Sequence, residues 1–266
     1  MKTVTDTLSA IEAVARRDRL IVLASLAAIA ALCWWYLIDM ALGMDGMAGM
    51  TSMRAQPWDL SYFLAMFVMW AIMMVGMMVP SAAPMILIYA RIQRKQSHKA
   101  PYISTTLFTL GYLLAWAVFS LLAAGIQWGL TEAALLTPMM ESASAWFAGA
   151  LFIAAGVYQL SPLKNACLRH CQSPLHFISH HWRKGRFGPL RMGVEHGAYC
   201  LGCCWVLMAL LFTLGVMNLL WVAVLTAFVL LEKVVRVGNG RLVPQVGSLA
   251  MAATGAFFLA RGAGLA

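Results

Sequence analysis

The sequence predicts an all-α polytopic membrane bundle, and three observations carry that reading. Hydrophobic residues make up 62% of the 266 and charged residues 11%, where a soluble globular domain carries roughly 25% charged. Apolar runs of spanning length recur along the chain. The Lys and Arg residues fall in short segments between those runs, as loops on the cytoplasmic side do. That placement also accounts for the +9 net charge without nucleic acid, because the basic residues form neither a face nor a tail.

Residues 1–19 are polar and end in Arg16, Arg17 and Arg19, with no small-residue cleavage site at signal-peptide distance. They read as a cytoplasmic N-terminal segment ahead of a retained anchor. From there, residues 20–260 form a single bundle. Leu20 to Ile38 is long enough to cross a ~30 Å hydrocarbon core. Residues 39–59 then form an outside loop, with Met40 leading into Met44, Met47, Met50 and Met53 at every third position. Thioethers need no deprotonation and form no disulfides, so in an oxidising compartment they hold Cu(I) where thiols would be lost. The alternative is an apolar loop lying in the interface.

The second run, Leu60 to Tyr89, carries Pro80 and Pro84 and must tilt or break. On a helical wheel Met66, Met69, Met73 and Met77 form one ridge, and Met74, Met78 and Met85 a second. A methionine stripe at this spacing serves packing or ligand exchange. Arg91, Arg94, Lys95 and Lys99 place the next loop inside; Ile103 to Gln127 spans outward; residues 131–144, without Lys or Arg, lie outside; Ala145 to Leu160 returns. Residues 161–195 form a basic cytoplasmic loop rich in Cys and His. Cys167 and Cys171 share one face there if the piece is helical, with His170 between them. A loop binding anionic lipid fits the same residues.

A helix over His196 to Leu214 follows. At ~100° per residue His196, Cys200 and Cys203 fall within a narrow arc, with Cys204 beside them. Imidazole and thiolates converging on one point suit Cu(I) or Zn(II); simple buried cysteines are the alternative. The chain turns near residues 215–218 and returns through Leu219 to Val235. A hairpin centred near Val216 sets Glu232 level with Cys200. Glu232 is therefore a ligand or counter-charge for a metal, or half of a surface pair with Lys233 or Arg236. Val243 to Ala260 makes a last span, for about seven in all, with the N-terminus inside and the C-terminus outside.

The run from Cys167 and Cys171 through Ser173-Pro174-Leu175, Trp182-Arg183, Arg191-Met192-Gly193, His196-Gly197, Tyr199-Cys200, Gly202-Cys203-Cys204-Trp205, Gly215-Val216-Met217-Asn218 and Leu231-Glu232-Lys233 resembles an uncharacterised bacterial family of predicted metal-binding integral membrane proteins. The segment from Met74 to Met85 is similar too, so the resemblance spans most of residues 60–240. It implies a membrane fold and a metal, with no assigned reaction.

The expected function is copper binding, with zinc the alternative metal, and transport or delivery across a bacterial inner membrane. The expected partners are lipid, the ion and a membrane protein or metallochaperone. An accessory subunit with a structural metal, in a membrane metalloenzyme or pigment complex, is the second reading. Thiol–disulfide exchange at Cys203-Cys204 or Cys167/Cys171 is third, since vicinal cysteines close a strained ring. No nucleotide-binding loop is present, so the chain is not expected to be an enzyme or to pump by itself.

Overall fold

A computed structural model describes residues 2–48, 58–96, 102–136, 144–234 and 242–264, with side chains described from residue 16 to 43 and from 58 to 95 in the first two segments. The architecture is an all-α bundle. Its helices are α1 (Lys2–Ala48), α2 (Leu60–Gln96), α3 (Tyr102–Glu132), α4 (Ala145–Gln159), α5 (Pro162–Gln172), α6 (Pro174–His181), α7 (Gly188–Ala209), α8 (Leu211–Leu214), α9 (Leu219–Val234) and α10 (Leu242–Gly262).

Local chemistry sets many of the helix ends. Asp59 caps α2, its carboxylate accepting the Tyr62 backbone N–H at 2.7 Å and the Ser61 hydroxyl at 2.8 Å. These donors hold the Asp59 carboxyl below the usual carboxylate range. Ser144 and Ser161 cap α4 and α5 in the same way. Proline opens α5 and α6 and stands in the first turn of α7, where its missing N–H costs no hydrogen bond. Gly215 ends α8 with φ of 90°, a conformation a Cβ disfavours.

Helix α2 is packed by α1 and α3, with α7 against α3 and α10 against α4. Both methionine ridges of α2 are buried, as are Trp70, Tyr112 and Trp116. The outward stripe Leu110, Leu114, Val118 and Leu121 on α3 stays exposed, an apolar surface larger than a soluble monomer tolerates. At one end Asp18 of α1 is ion-paired with Arg94 of α2 and accepts the Tyr102 hydroxyl of α3 at 2.6 Å, which fixes those three helix ends together. At the other, Trp58 stacks on Trp128 at 5.9 Å, the aromatic belt position.

Three expectations change here. The proposed outer loop begins later, because α1 runs ten residues beyond Ile38 to Ala48. Met44 and Met47 fall in its last turns, and Met50 and Met53 lie outside the described residues. The segment 161–195 is mostly helical, as α5, α6 and the start of α7. Among the described residues five helices are long and apolar enough to cross a membrane, and six spans result if α4 and α5, bent by 63° at their junction, are taken as one. Seven were expected; α9, with 16 residues, reaches only about 24 Å against a core of ~30 Å.

Candidate metal centre

The site is built on α7, and glycine places it. A Cβ on Gly193 would collide with the carbonyl of Phe108, and one on Gly111 with the carbonyl of Leu190. The backbones of α3 and α7 are thus in direct contact, with Gly197 seated over Ala115 and Tyr112 one turn further on. This approach brings the Tyr112 hydroxyl within 3.2 Å of Cys200 Sγ.

Cys200, Cys203 and Cys204 stand together, buried. The thiols of Cys203 and Cys204 each donate to the Cys200 carbonyl at 3.0 Å. Cys171 arrives from α5 beside the sulfurs of Cys200 and Cys203, with which it interacts. Cys167, one turn earlier, packs where only a glycine leaves room, its Sγ 2.7 Å from the position of a Cβ on Gly202. All six cysteines are free thiols.

Cys200 is also part of a closed polar ring drawn from four helices. Lys233 of α9 donates to Cys200 Sγ at 3.0 Å and to Ser81 Oγ of α2 at 2.9 Å. The Ser81 hydroxyl donates to the Met78 carbonyl at 2.9 Å, and Tyr112 reaches that same carbonyl at 3.2 Å. A buried ammonium needs polar or charged partners, and here a sulfur and a hydroxyl supply them.

The remaining expected residues are placed as follows. His196 is buried among the rings of Phe177, Tyr112 and Phe108 at 5.2, 5.7 and 6.1 Å, and its Nδ1 has no hydrogen-bond partner. Met73 and Met77 are enclosed in the core. Glu232 makes its ion pair with Lys164. Both its carboxylate oxygens take the Lys164 ammonium at 2.8 Å, and Gln159 bonds both partners. Neither of its expected pairings describes this, for the partner is Lys164 of α5. Among the described residues no three His, Cys, Asp or Glu side chains stand arranged to hold one ion together.

Sequence reading missed Tyr112, Ser81, Lys164 and the role of Lys233. Only Lys233 left a trace, since the hairpin register that put residue 232 level with Cys200 is off by one position. The structure also joins Cys171 to the α7 sulfurs, which spacing alone left open.

Fold and site together define a helical bundle of long apolar helices closed around a buried, sulfur-rich centre. Residues 67–257, from α2 to α10, match the model of the PpoB2 family, described as copper chaperone, and the chain belongs to that family. No curated protein and no solved structure matches the chain.

Proposed function

We propose that this protein is a membrane-embedded copper carrier that takes Cu(I) onto the buried sulfurs of Cys171, Cys200, Cys203 and Cys204 and passes it to a protein partner. The observation that carries the reading is the convergence of these four thiols from two helices, in a family described as copper chaperone. Soft thiolates select Cu(I), and Cu(I) is content with two sulfur ligands. Zinc wants four ligands, so the lack of a ready three-ligand set among the described residues favours copper. The unpartnered Nδ1 of His196, one turn before Cys200, adds a nitrogen donor at the edge of the site.

Copper here is cargo, so exchange has to be easy. Several sulfurs around Cys200 let the ion move from pair to pair. The enclosed thioethers of Met73 and Met77 on α2 extend that series, and Met44, Met47, Met50 and Met53 would capture Cu(I) outside, with the thiols facing the inner side of a bacterial inner membrane. A purely structural metal is less well supported, because the Lys164–Glu232–Gln159 contacts already tie α5 and α9 without an ion.

The test is a Cu(I) titration of the purified reduced protein against a coloured chelator. About one copper per chain that resists a strong chelator is expected, with copper–sulfur scattering in X-ray absorption. Cys171→Ser, Cys200→Ser and Cys203→Ser combined should abolish it, and unchanged copper content in that variant refutes the proposal. Leucine at all four outer methionines should slow loading at limiting copper only.

A further inference from the structure

Beside the thiols lies a second group of donors that the copper reading does not use. Helices α5 and α6 meet at Ser173, and their last turns carry His170, His180 and His181, with His176 one turn before His180. Two of these imidazoles are fixed in a way that capping a helix end does not require. His170 lies flat on Tyr199, with ring centroids 4.1 Å apart and planes 6° from parallel. His181 lies flat on Phe177 at 4.6 Å and 11°. The two rings stand edge to face at 5.8 Å and 76°, one from each helix.

Their nitrogens are sorted as well. His170 Nδ1 is 2.9 Å from the Ala166 carbonyl and His181 Nδ1 is 3.1 Å from the Phe177 carbonyl. A carbonyl can only accept, so each Nδ1 carries a proton, and in the neutral ring the free lone pair is on Nε2. Donating one ring N–H to a backbone carbonyl is how ligating histidines are usually oriented. A metal–nitrogen bond of ~2.0 Å sets the centroids of two ligating imidazoles about 5 Å apart at a tetrahedral angle and about 6.3 Å apart in a linear pair, and the observed spacing lies between the two.

We propose that His170 and His181 form a nitrogen-donor site for Cu(I), a docking point between solvent and the buried thiols. Resting on the copper reading for the identity of the ion, it takes its placement from the fold: His170 precedes Cys171, and Tyr199, on which its ring lies, precedes Cys200. Both histidines are half-buried, between exposed His176 and His180 and the enclosed sulfurs. Copper arrives and leaves as Cu(I); two Cu–N bonds give way to two Cu–S bonds, and the displaced thiol protons go to the buffer. Two ligands satisfy Cu(I), which agrees with the absence of a three-ligand set among the described residues.

The experiment uses the full chain in detergent, reduced and anaerobic, with chelator-buffered Cu(I) as the probe. Wild-type protein is expected to bind a first equivalent that resists a strong chelator and a second that yields to it but resists a weak one. X-ray absorption of the second equivalent should show nitrogen scattering with the outer-shell pattern of imidazole. His170→Gln/His181→Gln should remove the second equivalent and leave the first, whose retention shows that the fold is intact. The combined cysteine variant should lose the first and keep the second, so failure of the thiol reading and failure of this one give different results. A second equivalent that persists in the double histidine variant overturns the proposal. If the double variant loses both equivalents, the wild-type spectrum decides: no nitrogen scattering from the second equivalent overturns it, and its presence supports it.

Discussion

Breaking the Lys164–Glu232 pair should destabilise the protein severely, and removing the pair altogether should not. Lys164 is fully enclosed and Glu232 is 3% exposed. The ammonium meets both carboxylate oxygens at 2.8 Å, while Gln159 donates to the acid and accepts from the base. Glu232→Gln leaves a buried ammonium without its counter-charge, which costs about 3–5 kcal/mol. For a chain of this size each kcal/mol moves the midpoint by roughly 2–4 °C, so a drop on the order of 10 °C is expected. Lys164→Met should do similar damage by stranding the acid. Lys164→Met with Glu232→Leu removes both desolvation penalties and fills the space, so its midpoint should return close to wild type or exceed it. Thermal unfolding in mild detergent, followed by circular dichroism, compares the three variants directly. A double variant as damaged as the singles, or a harmless Glu232→Gln, would refute the reasoning.

Gly193→Ala forces a methyl group into the Phe108 carbonyl and should remove folded protein from a size-exclusion profile, whereas Gly125→Ala, with nothing within 4 Å, should be neutral or stabilise by up to about 1 kcal/mol. Lys233→Met deletes the donor to Cys200 and Ser81; copper affinity, read by chelator competition, should fall about 10–100-fold as for other partners of metal ligands, and Lys233→Arg should restore part of it.

The parts of this molecule legible in its sequence are those with local causes. Apolar run length located the main helices, and periodicity placed three cysteines on one face of α7 and the two methionine ridges of α2 in one helix. The i, i+4 spacing of Cys167 and Cys171 foresaw a shared face, and the structure turns that face toward α7. What sequence could not reveal are contacts between distant positions. Lys164 and Glu232 are 68 residues apart, Tyr112 and Cys200 are 88, and Ser81 and Lys233 are 152. No periodicity encodes such pairings, which follow only once helix packing is fixed. The loop boundaries failed for a related reason. Residues 39–48 and 162–181 are polar enough to read as loops, yet their helices persist, α5 and α6 opened by prolines and α5 closed against α7.

The glycine contact between α3 and α7 has a bearing on how the sulfur centre can rearrange. With backbone against backbone at Gly111 and Gly193, those two helices have no side chains to slide over or swing aside. They behave as a rigid rear wall. The contacts from α5 and α9 are of different make: they reach Cys200 through side-chain ends, the thiol of Cys171 and the ammonium of Lys233, which turn about single bonds. Rearrangement around Cys200 therefore costs least on the α5–α9 side, where a few side-chain torsions suffice.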